Sequence, residues 1–363
     1  MAQARSNEAS RLSLLDEISR AVYAPDFTGI SAEQALELFE LPERDVPRLF
    51  PLATFLREKH KGEWVKICGI VNAKSGKCPE RCDFCAQSAH FETTSPEYPL
   101  MSEDEIVARA REAKAKGVRE FSIVTSGTSL EDERELQVVA NAVRRVKEEG
   151  LEPCVSLGLL SDHALEVLKE AGLVNVHHNL ETAKSHHAEI VKTHSFDEEL
   201  EAVRRAKEAG FHTCTGGIMG MGESKAQRVE LALTLKELNV SHIPVNFLSP
   251  IAGTPLFGKD TDLSPMECLR ILAVYRLMMP TQDIFCMGGR EVNLRELQSW
   301  IFQAGANGMM VGGYLTTGGR NHDTDLRMIA DLGLKVMACE GHAEHPAATA
   351  RKSGSPRLAI LPS

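Results

Sequence analysis

From residue 64 onward the chain alternates short β-branched, apolar runs with stretches whose apolar residues return every three or four positions. The first pattern predicts strands over 64–73, 120–125, 152–157, 174–179, 212–219, 242–248, 283–287 and 308–311. Between them SEDEIVARAREAKAKG, EDERELQVVANAVRRVKEEG, SDHALEVLKEAG, FDEELEAVRRAKEAG and ESKAQRVELALTLKELN read as amphipathic helices. Most open on Ser, Asp or Glu and several close on Gly, as helix caps require. Strict β–α alternation predicts an α/β fold with a parallel sheet, and eight such units predict a closed (β/α)8, TIM-type barrel. Residues 1–60 are expected to form a helical N-terminal extension, opening on the amphipathic MAQARSNEASRLSLLDEI, and residues 61–340 the barrel. The tail 341–363, rich in Ala, Ser and Pro, is expected to be poorly ordered.

In such a barrel the chemistry lies at the carboxyl ends of the strands, and the loop after the first strand carries KSGKCPERCDFCAQS. Cys78, Cys82 and Cys85 stand in a C-x3-C-x2-C spacing with no fourth cysteine at matching distance. Three thiolates from one tight loop can hold three corners of a [4Fe-4S] cluster, leaving the fourth iron open to a small molecule. A structural zinc site usually takes two short-spaced ligand pairs, and here only His90 could complete a set. Disulfides fit poorly with 9 cysteines and no apolar leader, which points to a reducing cytoplasm. No apolar run reaches membrane-spanning length. A formal charge of −10 with 5% aromatic residues argues against a nucleic-acid surface and for a small-molecule substrate.

Three more cysteines, Cys154, Cys214 and Cys286, fall inside predicted strands. A lone strand cysteine is commonly a small buried hydrophobe, and Cys68, Cys268 and Cys339 are read that way. Cys286, Gly288 and Arg290 share strand parity, so an inward Arg290 carries Cys286 inward with it. On that reasoning Cys154, Cys214 and Cys286 are read as ligands of a second cluster. Weaker signals are the glycine-rich Gly216–Glu223 run, His177, His178, Asn179 and Glu181 in HHNLET, Asn246 in PVNFLSP, and the Ser126–Thr128 turn.

With these residues in view, the stretch from Asn72 to Gly333 resembles the biotin synthases, which are radical S-adenosylmethionine (SAM) enzymes. The motifs that carry the likeness are CPERCDFCAQS, SIVTSG, CVSLG, HNLET, CTGGIMGMGE, IPVNFL with GTPL, LMMP and GGRE. The resemblance implies a sulfurtransferase that converts dethiobiotin to biotin through a 5′-deoxyadenosyl radical. It implies a homodimer, reduced by flavodoxin or ferredoxin and supplied by iron–sulfur assembly machinery. Cys78, Cys82 and Cys85 would hold the [4Fe-4S] cluster. Gly216, Gly217, Glu223, Asn179, Glu181, His194 and Ser126 would line the SAM pocket, and Asn246 would face SAM or the ureido ring. Cys154, Cys214 and Arg290 would bind an auxiliary cluster, [2Fe-2S] in the family. Two departures bear on that cluster: Ser122 stands where the family has a cysteine, and Cys286 where it has an apolar residue. The expectation is that one ligand has moved to Cys286, in a site able to hold a larger cluster. His177 replaces a common asparagine. The competing readings are another barrel-type radical SAM enzyme, a maturase or mutase relative, and a non-catalytic zinc or iron–sulfur module.

Overall fold

The computed structural model describes residues 2–130, 132–313 and 319–337, without the side chains of residues 2–10. The strands are β1 (Trp64–Lys74), β2 (Glu120–Thr125), β3 (Glu152–Ser156), β4 (Asn175–His177), β5 (His212–Cys214), β6 (Gly217–Met219), β7 (His242–Phe247), β8 (Asp283–Cys286), β9 (Gly308–Met310) and β10 (Lys335–Val336). Each pairs in parallel with its neighbour, and β9 returns to β1 through Lys66↔Gly308, Ile67↔Met309 and Cys68↔Met310, which closes the ring. Counting β5 and β6 as one interrupted strand, this is the expected (β/α)8 barrel. The short β10 adds outside the start of β1.

The helices form where their caps dictate. Ser102, Ser195 and Ser224 make reciprocal capping boxes with Glu105, Glu198 and Gln227, while Asp132, Ser161 and Ser264 cap with the side chain alone. Each such cap stabilises its helix by about 1 kcal/mol. Outward strand residues, among them Ile67, Phe121, Ile123, Val155, Val176, Ile243, Val245, Ile284 and Met309, pack under these helices in one apolar core. Ile18, Leu38, Val46 and Leu56 of the N-terminal segment belong to that same core. They cover helix Pro265–Met278, which is buried on every side from Glu267 to Met278. Its Arg276 is fully buried, yet the guanidinium donates to the carbonyls of Gly305, Pro280 and Gln282 and to Asn307 Oδ1 at 2.7–3.0 Å. That side chain ties the loops around β8 and β9 together. The tail 341–363 and Cys339 lie outside the described residues.

The strand predicted over 212–219 is broken at Thr215–Gly216. Pro244 on β7 stands opposite the break and has no N–H to donate to the ladder. Gly216 passes so close that an added Cβ would lie 1.9 Å from the Pro244 carbonyl oxygen. Gly216→Ala is therefore expected to destabilise the fold by about 1–3 kcal/mol or more, read as a lower thermal unfolding midpoint. An unchanged midpoint would contradict the close approach.

Candidate active site

At the carboxyl end of the barrel the strands open into a cavity of about 420 Å³, lined by Cys78, Cys82 and Cys85 at its mouth. The cysteine loop leaves β1 through Gly76 and Lys77, both at positive φ. The Gln87 side-chain oxygen then accepts from Ser75 Oγ at 3.0 Å, Gly76 N at 3.3 Å and Asn72 Nδ2 at 3.4 Å. Main-chain bonds from Cys78 N to Gln87 O and from Ala89 N to Cys78 O shut the loop on itself. Asp83 N to Ile190 O and Lys192 N to Arg81 O anchor it to the chain after helix Lys184–Ile190. The thiols converge on the cavity, whereas His90 turns to the Pro79 carbonyl at 2.9 Å and does not complete a zinc set.

Burial first, and then the neighbouring charges, raise the thiols: Cys85 is pushed up to about 11, and Cys78 and Cys82 also rise. Three thiolates gathered here need cations to be stable, which is what cluster irons supply. Among the described residues, the groups tight enough to close on one ion are Glu120–Cys214–His242 and His187–His194–Glu199, their ligand atoms within 4.8 Å of one another. The loop thiols are not so tightly grouped, as befits ligands on separate irons. The donor set fits the [4Fe-4S] group.

Beside the loop a buried polar chain runs through His194. Its Nδ1 meets Glu80 Oε2 at 2.7 Å, its Nε2 meets Glu199 Oε1 at 2.9 Å, and His187 approaches Glu199 Oε2 at 3.2 Å. Glu80 also accepts from Thr128 and Thr193. With both ring nitrogens engaged, His194 positions Glu80 and the loop and has no free nitrogen for a SAM carboxylate. Glu181 sits in the cavity wall at positive φ, and burial together with the charge of Glu199 raises its carboxyl to about 8. Asn179, Asn246 and Ser126 line the same cavity. Asn246 bridges Gly217 O at 3.2 Å and Gly288 N at 2.9 Å, and Ser126 Oγ donates to Gly76 O at 2.8 Å. Gly216, Gly217 and Glu223 do not line it. The glycines serve the close approach of strands, and Glu223 caps Gly220 N and Met221 N and pairs with Arg228 at 2.8 Å.

Deeper in the lumen stand Cys154, Cys214, Ser122, Glu120 and His177. His177 Nδ1 lies 3.3 Å from Cys214 Sγ, and burial lowers the imidazole to about 4, so it is neutral. Two expectations fail at this depth. Cys286 faces outward into the apolar core beside the helix that carries Cys268, because β8 sends Asp283 and Phe285 inward and the alternate residues out. Arg290 does not follow strand parity, since β8 ends at Cys286 and Arg290 begins the helix Arg290–Leu294. It is fully buried against Asp325 Oδ2 at 2.5 Å and Gln298 Oε1 at 2.5 Å, away from the cavity. Conversely Cys68, read as core, points into the lumen with Ile70, as do Glu120 and His242, which the sequence reading missed. The available signal was parity along β1, where Cys68 and Ile70 alternate with the outward Ile67 and Val71.

A parallel barrel with three thiols of one C-x3-C-x2-C loop converging at its mouth defines a radical SAM enzyme, and the Radical SAM superfamily matches residues 73–235. Residues 244–335 match the Biotin and Thiamin Synthesis associated domain. The chain is 50% identical over 313 residues to the biotin synthase of Geobacter sulfurreducens, covering 86% of this chain and 95% of that protein. It is 48% identical over 357 residues to that of Anaeromyxobacter sp. (strain K), covering 95% and 99%. The chain belongs to the biotin synthase family. Methylornithine synthase (TM-score 0.75, 22% identity, 89% of this chain and 97% of that one) shares the fold. So does the FeFe-hydrogenase maturase HydG of Carboxydothermus hydrogenoformans (TM-score 0.77, 18% identity, 93% and 81%).

The His194 network gives a pH signature. Burial alone would lower His194, but its bonds to Glu199 and Glu80 outweigh this and hold it up at about 9. A raised folded pKa contributes stability that is full below the unfolded value near 6.5 and is lost as pH rises through about 9. The wild-type unfolding free energy, read from denaturation curves, should therefore fall across this window by an amount on the order of 1–3 kcal/mol, and His194→Gln should flatten the fall. A parallel pH profile in the variant would count against the network.

Proposed function

We propose that this chain converts dethiobiotin to biotin by radical insertion of sulfur. The observation that carries the reading is a single lumen with thiols at both ends and an apolar waist between them, formed by Ile70, Val124, Pro244 and Met287. A largely saturated substrate needs such a waist, because its reacting C–H bonds offer nothing to hydrogen-bond. Cys78, Cys82 and Cys85 would hold the [4Fe-4S] cluster, which would supply the one-electron chemistry toward SAM, and an auxiliary cluster would supply the sulfur.

The chain's own residues do the rest. Glu181, with its carboxyl raised to about 8, is largely neutral until a cationic group arrives, and the ammonium of SAM would draw out its charge. Glu80, bonded to His194, Thr128 and Thr193, keeps the cysteine loop in place. Asn246, fixed between Gly217 and Gly288, gives the waist a polar rim suited to a ureido ring. The surrounding apolar wall excludes water, which would otherwise quench reactive intermediates. Family likeness alone extends the reading to a cytoplasmic homodimer, flavodoxin or ferredoxin as reductant, and loading by iron–sulfur assembly machinery. A [2Fe-2S] or larger auxiliary cluster belongs to the same extension.

Anaerobic incubation with SAM, a low-potential reductant and dethiobiotin should yield biotin and 5′-deoxyadenosine together, and Cys82→Ala should abolish both. Deoxyadenosine without biotin would retain the radical chemistry and reject the substrate. One tightly bound zinc with no visible absorption would reject the enzyme.

A further inference from the structure

The lower lumen holds three thiols on alternate strands: Cys68 on β1, Cys154 on β3 and Cys214 on β5. Between the first two, β2 places Glu120 beside Cys68 and Ser122 beside Cys154. Glu120 links the group. Cys68 Sγ donates to its Oε1 at 3.8 Å, and a Glu120 oxygen lies with Cys214 Sγ and a His242 nitrogen, all within 4.8 Å of one another. Cys286 and Cys268 are excluded, since both pack in the outer core.

We propose that Cys68, Cys154 and Cys214 are the thiolate ligands of the auxiliary iron–sulfur cluster, with Cys68 replacing the thiolate absent at Ser122. The proposal rests on the biotin synthase reading for its cluster and on the lumen geometry for its ligands. Ser122 is the register partner of Ile70, so Cys68 lies one strand over and one pleat deeper than the position it replaces. A serine alcohol is a hard donor with a far higher pKa than a thiol, and cluster iron favours thiolate. Ser122 instead donates a hydrogen bond to Cys154 Sγ, which steadies that sulfur. Cys68, Cys154 and Cys214 are all buried. Three thiolates at this depth are tenable only with cations among them. Among the described residues the three sulfurs do not form a group tight enough for one ion. That wider spacing suits a cluster with several irons.

The test isolates the deep site. In a Cys78→Ala, Cys82→Ala, Cys85→Ala background, anaerobic reconstitution with ferrous iron and sulfide leaves only that site to load. Adding Cys68→Ala should lower retained iron and sulfide by roughly tenfold or more, as adding Cys154→Ala does. Adding Cys286→Ala should leave both unchanged. Cys68→Ser keeps the packing and should weaken the thiolate-to-iron absorption and move it to shorter wavelength, which a merely structural role would not do. Thermal melts of the metal-free proteins identify any variant that fails to fold, and the serine variant then decides. Wild-type iron, sulfide and spectrum in both Cys68 variants would overturn the proposal, as would loss of iron on Cys286→Ala alone. The biotin assay is scored separately on the unmutated chain. Its failure would reject the enzymatic reading and leave the iron count to judge Cys68.

Discussion

Everything in this molecule depends on the closure of the ring between β1 and β9. Once Cys68 is level with Met310 and Lys66 with Gly308, the parity of every strand is fixed around the circle. Cys68, Glu120, Ser122, Cys154, His177, Cys214, Asn246 and Met287 are then turned inward, and Ile67, Phe121, Val155, Val245 and Cys286 outward. A slip of one residue would exchange the two sets and put the thiols under the helices. The N-terminal helices and helix Pro265–Met278 contribute to the site indirectly. They press on the outer face and hold the register with apolar contacts and the carbonyl clamp of Arg276.

The electrostatics follow from where the cations go. Arg228 is taken by Glu223 and Glu267, Arg290 by Asp325, and Lys61 and Lys66 by Asp283. The lumen keeps thiols, Glu181 and Glu120, whose proton affinities burial raises. A cavity of this kind favours positively charged cargo and holds its protons until such cargo arrives. Its two sulfur-rich ends share that property and differ in surroundings. The upper set lies on a loop braced by Gln87 and Glu80, and the lower set on rigid strands.

Much of this was legible in the sequence. The β–α alternation gave the barrel because each unit repeats the same amphipathic pattern, and serine caps marked the helix starts within a residue or two. The cysteine loop was legible because its ligands are close in the chain. What failed was parity carried past a strand end: β8 stops at Cys286, so nothing in the run to Arg290 says that a helix begins there. Cys68 was missed for a different reason. Its neighbours in space, Glu120 and Cys214, are distant in sequence, and only the register of three strands brings them together. Glu223 and Gly216 show the converse, motif residues that serve backbone packing and capping instead of the cavity.

The ion pairs at the amino end of the barrel also bear on traffic. Asp283, gripped by Lys61 at 2.7 Å and Lys66 at 2.6 Å, is level with His242, which is level with Cys214 and lies near Glu120 beside Cys68. At its carboxyl end the lumen is rimmed by Cys78, Cys82 and Cys85. A small ion that enters by that rim meets the upper thiols before it reaches the lower ones.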